Sequence, residues 1–299
     1  MLQGYDERNQ NLIVNINGEL VHRDRAGVSP FDSSVQNGDA VWEGLRLYDG
    51  RVFRLREHLG RLRKSASMLS YEGVPDDGWI VEQLGRTLKA NSMHDGVHIR
   101  LMLTRGVKYT SGLDPRINTA GCTLIVLAEH KVPVYGRIGG AGVKLITARV
   151  KRPPPDVLNQ HIHSSNQLTS VLAKIEANAA GVDDALLLDT RGYVAETSAT
   201  HLFFVVDGEV LTPTTWACPE GITRSAVLGL CTAAGIESRE CDIPLATAHN
   251  ADECFCTGTM GEIAPVGSID GHGFEPGPVT ACISVAFAAL TSREGDRLV

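Results

Sequence analysis

The stretch 201-HLFFVVDGEVLTPTTWACPEGITRSAVLGLCTAAG-235 decides the fold class. Two apolar, β-rich runs flank Asp207-Gly208, a dipeptide that accepts the positive φ angles of a tight hairpin turn. After Gly221 the apolar residues continue as a helical run, so strand, turn, strand and helix follow one another directly. That order predicts a mixed α/β chain built on hairpins more than on βαβ units.

The same grammar extends in both directions. The stretch 12-LIVNINGELV-21 places two strand-forming runs around Asn17-Gly18, and 39-DAVWEGLRLYDGRVFRL-55 does so around Asp49-Gly50. From Arg56 the spacing becomes helical, with Leu59, Leu62, Ala66, Met68 and Leu69, and a second helix is expected over Trp79 to Asn91. Strands are expected at 97-VHIRLMLTRG-106 and 122-CTLIVLAE-129, then at 143-VKLITARV-150 and around the Arg191-Gly192 turn of 185-ALLLDTRGYVAE-196. Between them, 130-HKVPVYGRIGGAG-142 breaks every period. The expected organisation is an N-terminal α/β domain over 1–130, a linker over 131–142 and a C-terminal α/β domain over 143–299. Within the second domain a helix runs from about Asn166 to Asn178 with Leu168, Val171, Leu172 and Ile175 on one face, and 279-VTACISVAFAAL-290 reads as a core helix.

Composition narrows the classes of partner. The 299 residues are 43% hydrophobic with a net charge of −7 and a pI near 5.8, so no basic surface favours nucleic acid or an anionic membrane. No apolar run reaches the roughly 18 residues a membrane span needs. The seven cysteines are scattered, and the stretch MLQGYDERNQ carries no apolar leader pattern, so the expectation is a reduced, cytoplasmic protein whose partners are small molecules or copies of itself.

Two stretches suit an anion. In 220-EGITR-224 a glycine leads Ile222 and Thr223 into a helix, where first-turn amides and a hydroxyl favour a phosphate; the alternative is that Thr223 only caps the helix. In 257-TGTMGEIAPV-266, Thr257, Gly258 and Thr259 follow a strand and offer further hydroxyls and amides. Arg61, on the helix 57-EHLGRLRKSASML-69, is a charge-assisted partner for the same group. Glu196 closes a strand run, where an acid is either a solvated turn residue or the partner of a cationic ring nitrogen.

The segments 37-NGDAVWEGLR-46, 57-EHLGRL-62, 171-VLAKIEANAAGVDDALLLD-189, 194-VAETSATHLF-203, 220-EGITR-224 and 257-TGTMGEIAPV-266 cover almost the entire chain in one order. That order resembles the class IV aminotransferases, the pyridoxal-phosphate fold type shared by branched-chain aminotransferases, D-amino-acid aminotransferases and aminodeoxychorismate lyases. The resemblance implies a two-domain α/β protein of the D-amino-acid-aminotransferase-like fold type IV, with the cofactor cleft between domains, and a homodimer. It implies pyridoxal 5′-phosphate as cofactor and transfer of an amino group between an amino acid and a 2-oxo acid, with lyase chemistry as the runner-up. By resemblance Arg61, Ile222, Thr223 and Thr259 hold the cofactor phosphate and Glu196 pairs with the pyridine nitrogen. Asn37 and Met260 are placed on the substrate side, and strand alternation puts His98 and Arg100 on one face, where an arginine either meets a substrate carboxylate or forms a structural ion pair.

One segment departs from the family pattern. The Schiff-base lysine belongs within 161-HIHSSNQL-168, where its place falls on His163, or on Ile162 under a spacing longer by one residue, and Gln167 replaces the usual Tyr, Leu or basic residue. Only an amine forms the covalent link, whereas histidine moves a proton and no more. Lys144, Lys151 and Lys174 are the substitutes the sequence offers. The alternative functions are a homologue that binds the cofactor without transamination, and cofactor-independent chemistry with His163 as base. His161 and His163 share a face if extended, but two ligands do not make a metal site, and none is assigned. Cys254 and Cys256, which alternate in the same way, read as core.

Overall fold

The computed structural model describes residues 4–135 and 142–299, so half of the expected linker, from residue 136 to 141, lies outside the described residues. The chain forms two compact units. One comprises Gly4–Val132, Ile162–Asn166 and Thr291–Val299, and the other Pro133–His161 and Gln167–Leu290.

In chain order the first unit contains β1 (Ile13–Ile16), β2 (Glu19–His22), α1 (Ser33–Asn37), β3 (Ala40–Tyr48), β4 (Arg51–Val52), α2 (Leu55–Met68), α3 (Asp77–Ala90), β5 (Val97–Thr104) and β6 (Thr123–His130). The second contains β7 (Val143–Thr147), α4 (Leu168–Ala179), β8 (Asp184–Leu188), β9 (Val194–Thr197), β10 (His201–Val206), β11 (Glu209–Pro213), α5 (Ile222–Ala233), β12 (Ser238–Cys241), α6 (Leu245–His249), β13 (Glu253–Gly258), β14 (Glu262–Ile269), β15 (His272–Gly273) and α7 (Pro278–Thr291). A last strand, β16 (Asp296–Arg297), pairs with β4.

The first sheet has the order β16-β4-β3-β5-β6-β1-β2. Its turns are those the dipeptides predict: Asn17 and Gly18 take φ 52° and 86°, and the same positive pair recurs at Asp207 and Gly208 in the second unit. One face of the sheet presents Leu45, Ile99, Leu101 and Val126 to Leu59 and Leu62 of α2 and to Ile80 and Leu84 of α3, all fully or almost fully buried. β4 pairs with β3 only at its far end, through Leu47 and Tyr48, which leaves the edge of β3 near Val41 open. Residues 162–166 fill that edge: Trp42 N donates to His163 O (3.0 Å), Ser165 N to Ala40 O (2.8 Å), and Val41 bridges Ser164. Gly38, at φ 66°, lets the chain approach, since a Cβ there would lie 2.7 Å from the Asn166 side chain.

The second sheet runs β12-β11-β10-β13-β14-β7-β8-β9, with β15 beside β14. The unbroken apolar run 202–205 follows from burial on both faces. Leu202 and Phe204 pack with Cys254 and Cys256, while Phe203 and Val205 pack with Phe255, Val227 of α5 and Ile283 of α7. The cysteines are therefore core residues. Three pairings in this sheet are parallel, β11 with β12, β14 with β7 and β7 with β8, and no hairpin signal announces them.

The helix α4 has the expected extent and the expected apolar stripe, but Leu168, Val171, Leu172 and Ile175 are exposed. The face that packs carries Ser170, Ala173 and Ala177, against Ala148, Ala185 and Leu187. Small residues let the helix lie close to β8, and this leaves the larger side chains outward.

The N-terminus of α7 is held by a buried carboxylate: Glu253 accepts from Val279 N (3.1 Å) and Thr280 N (2.7 Å). Glu253→Ala removes both acceptors and is expected to destabilise the protein by roughly 1–3 kcal/mol, read as a lower urea midpoint with an unchanged slope. A midpoint equal to wild type would show that water replaces the carboxylate at no cost.

Candidate active site

In the first unit the chemistry gathers around Glu43 of β3, whose side chain is 0% exposed. From α2, Arg61 donates through Nε to Oε1 (2.8 Å) and through Nη2 to Oε2 (2.7 Å), and His58 Nδ1 lies 2.6 Å from Oε2. Residues 58 and 61 are one helical turn apart, so both reach the same carboxylate. Burial works to raise the Glu43 carboxyl, but the Arg61 charge and the hydrogen bonds from Arg61, His163 and His58 outweigh it and hold it well below the ordinary range. Burial lowers the His58 imidazole, against the pull of Glu43.

His163 joins this cluster. Its Nδ1 lies 3.5 Å from Glu43 Oε1 and is hydrogen-bonded to Trp42 O, and its backbone N donates to Ser65 Oγ (3.0 Å). A carbonyl only accepts, so Nδ1 carries the proton of that bond, and Nε2 is the ring nitrogen left to exchange one. The ring stacks on Trp42 at 4.5 Å between centroids. Ile162, the other place open to the family's lysine, packs into the core beneath the sheet.

Arg100 rests over the Trp42 ring, 4.0 Å from its centroid, and among the described residues no acid pairs with it. Burial lowers the Arg100 guanidinium. Burial, with the charges of Lys131, Arg46 and Arg100, pushes His98 down to about 3, so its ring is neutral. Arg105 has a structural part instead, paired with Asp39 at 2.6 Å. Asn37 is exposed, and its amide donates to Gln36 O (3.0 Å) and accepts from Lys108 Nζ (2.6 Å), so it joins none of these groups.

In the second unit, Glu196 on β9 is buried and its Oε1 lies 2.9 Å from Arg152 Nε, with both side chains 7% exposed. Burial pushes Glu196 up to about 7, against the opposing charge of Arg152. Arg152 Nη2 donates to Ser170 Oγ (2.9 Å) and Thr197 O (3.4 Å), and Ser170 Oγ donates to Gln167 Oε1 (3.1 Å). Sequence reasoning missed Arg152, because an arginine before three prolines reads as a solvated turn.

At α5 the capping alternative for Thr223 is overturned. Gly221 is the N-cap, with no side-chain cap, and Thr223 is buried within the first turn. The His201 ring closes on Gly221, where a Cβ would come 2.5 Å from Cε1, and His201 is paired in register with Thr257. Thr257 Oγ1 is fully buried without a hydrogen-bond partner. His201 thus links the two anion-suited stretches. Uncapped amides at the positive end of a helix, beside an unpartnered buried hydroxyl, fit a phosphate. Ile222 opens the same turn, Thr259 follows β13 half-buried, and Met260 O accepts from Val134 N (2.6 Å).

Lys144 and Lys151 are exposed, and Lys174 is hydrogen-bonded to Asp183 O and lies 3.9 Å from Asp184. His161 Nε2 pairs with Thr215 O (2.8 Å), apart from the partners of His163, and among the described residues no three His, Cys, Asp or Glu are placed to hold a metal.

Glu196 makes stability depend on pH. Its folded value, about 7, lies above the ordinary 4.5, so the native state binds more protons between those limits. Its contribution is therefore most favourable below about 4.5 and is lost as pH rises through 7, a change of roughly 3 kcal/mol at about 1.4 kcal/mol per unit. Glu196→Gln is expected to flatten the wild-type decline in urea midpoint between pH 5 and 8, with a constant offset from the unpaired Arg152. Parallel pH curves for the two proteins would contradict this.

A family model described as amino-transferase class IV matches residues 40–269. The branched-chain-amino-acid aminotransferase-like protein 2 of Arabidopsis thaliana is 49% identical over 290 residues, covering 96% of this chain and 52% of the relative, so the chain spans about half the length of that relative. A putative branched-chain-amino-acid aminotransferase of Methanocaldococcus jannaschii is 40% identical over 289 residues, covering 95% of this chain and 98% of the relative. Among solved structures, the T.th. branched-chain amino acid aminotransferase complexed with N-(5′-phosphopyridoxyl)-L-glutamate superposes with a TM-score of 0.87 at 32% identity, covering 95% of each chain. The Escherichia coli branched-chain amino acid aminotransferase does so with a TM-score of 0.88 at 29% identity, covering 96% of each. The mixed α/β architecture is thus that of fold type IV, and the chain belongs to the class IV amino-transferases.

Proposed function

We propose that this chain binds pyridoxal 5′-phosphate without a lysine bond and transfers an amino group between an amino acid and a 2-oxo acid, with His163 moving the proton. The observation that carries this reading is the fixed tautomer of His163: Trp42 O binds Nδ1–H and leaves Nε2 as the accepting atom. When bound, the cofactor supplies an aldehyde that captures amino groups and a ring that withdraws electrons from the substrate's α-carbon. Ile222, Thr223 and Thr259 would hold its phosphate and Glu196 its ring nitrogen, while the Arg61 fork is committed to Glu43. Arg100, seated on Trp42 with no acidic partner among the described residues, would receive a substrate carboxylate, with the neutral His98 beside it. The seven free cysteines suit a reducing, cytoplasmic setting.

The reading without turnover rests on the same histidine, and one experiment separates the two. Wild type mixed with pyridoxal phosphate is expected to take up the cofactor reversibly and, after borohydride, to show no reduced adduct at position 163 by mass spectrometry. His163→Lys is expected to show one. Wild type is expected to exchange amino groups between amino and oxo acids, and His163→Ala to lower that rate by roughly 10²–10⁴-fold. Cofactor uptake without exchange would favour a binding homologue, and no uptake would sink both readings.

The exposed stripe of Leu168, Val171, Leu172 and Ile175 supports a homodimer. Val171→Glu combined with Ile175→Glu is expected to raise the dimer dissociation constant by roughly 10²–10⁴-fold, from about 1.5–3 kcal/mol per apolar side chain, as read by sedimentation equilibrium. An unchanged constant would place the interface elsewhere.

A further inference from the structure

We propose that Arg152 is a positioning residue that favours ionisation of Glu196 and fixes a cation beside it, so that the site selects a ring bearing a protonated nitrogen. This deepens the pyridoxal-phosphate reading and rests on it.

The argument begins with the cost of a buried carboxylate. An isolated one takes a proton sooner than remain charged without water. At Glu196 a single cation opposes that outcome: Arg152 Nε lies 2.9 Å from Oε1, an ion pair without the alignment of a hydrogen bond. Among the described residues no hydrogen-bond donor is directed at either oxygen of Glu196, so the carboxylate can receive a ring N–H. A cation beside Oε1 and a ligand on Oε2 do not compete for the same lone pairs.

Arg152 could not do this as a mobile side chain. Its other end is held by Ser170 Oγ at 2.9 Å and Thr197 O at 3.4 Å, and Ser170 is held by Gln167 Oε1 at 3.1 Å. Thr197 directly follows Glu196 on β9, so the arginine grips the backbone beside the side chain it faces. The guanidinium is planar, and fixing Nη2 confines the position of Nε. Gln167, where relatives in the family pattern carry Tyr, Leu or a basic residue, is the outer end of this chain of contacts. The consequence is a ligand preference: an ionised, fixed carboxylate rewards a cationic N–H donor more than a neutral one, by roughly 10–100-fold for one charge-assisted hydrogen bond.

The test compares two ligands at one pH, pyridoxamine 5′-phosphate and the analogue whose ring nitrogen is replaced by CH, titrated into the full chain by calorimetry. Wild type is expected to prefer the pyridine by roughly 10–100-fold. Arg152→Met is expected to lose at least about tenfold of that preference while its affinity for the analogue stays within about threefold of wild type. Arg152→Lys is expected to restore part of the preference. Ser170→Ala, which frees one end of the arginine and leaves the pair intact, is expected to lower it several-fold and covers the case in which Arg152→Met does not fold. An equal loss of affinity for both ligands, or a preference that survives in both Arg152→Met and Ser170→Ala, would overturn the positioning role while leaving cofactor binding in place. Failure of wild type to bind either ligand would overturn the pyridoxal-phosphate reading, and this proposal with it.

Discussion

The first unit depends on the buried Glu43 carboxylate. Taking a charge out of water costs several kcal/mol, and a strand beneath a helix offers no water to offset it. The Arg61 fork and His58 do so, and both come from α2. This fixes the rotation and register of α2 on β3 more tightly than apolar packing alone, because a leucine can slide between grooves and a forked hydrogen bond cannot. The open edge of β3 then receives residues 162–166, and the ring of His163 is set by its neighbours on that strand: Trp42 O below Nδ1, the Trp42 ring against its face, and Glu43 at 3.5 Å.

Two buried glutamates with opposite behaviour show how donor number decides function. Glu43 and Glu196 both face the full cost of burial. Glu43 has the Arg61 fork, His58 and His163 around it and is held well below the carboxylate range, so it stays charged and structural. Glu196 has Arg152 alone and is pushed up to about 7. A carboxylate near its titration point responds to one more cation, and a fully satisfied one does not. By that criterion Glu196 is the poised residue and Glu43 the fixed one.

Much of the fold was legible because its signals are local. Asn17-Gly18 and Asp207-Gly208 specify turns through backbone sterics, and the helical spacing after Arg56 and after Gly221 specifies packed faces. The parallel pairings of β14 with β7 and of β11 with β12 were not, since they join residues far apart in sequence and leave no turn chemistry behind. The stripe on α4 was visible as a stripe, but period alone does not say whether it faces the core; Ala173 and Ala177 opposite it settle that by permitting close approach. At the site, Glu196, Thr257 and the Gly221 entry were readable from residue type and position. Arg152 was not, because its part comes from a tertiary contact with a strand more than forty residues away, and the sequence around it has the composition of a solvated turn. Thr223 looked like a cap, and Gly221 takes that place because the His201 ring leaves no room there for a side chain.

On the proposed reading, a histidine in place of the lysine would shift the burden of holding a ligand. A covalently anchored group stays at its site through each cycle, while a dissociable one gives up translational and rotational freedom every time it binds. Contacts that merely orient an anchored ligand must then retain an unanchored one. On that reading the contacts would be the uncapped amides at α5, the unpartnered hydroxyl of Thr257 and the Glu196–Arg152 pair, all in the second unit. His163 offers no bond-forming amine and has a tautomer fixed by a carbonyl that cannot donate. A lysine at the end of four methylenes must be steered to its proton, whereas an imidazole clamped at Nδ1 and stacked on Trp42 holds Nε2 in one direction, and the chemistry available at that position is limited to what one directed lone pair can do.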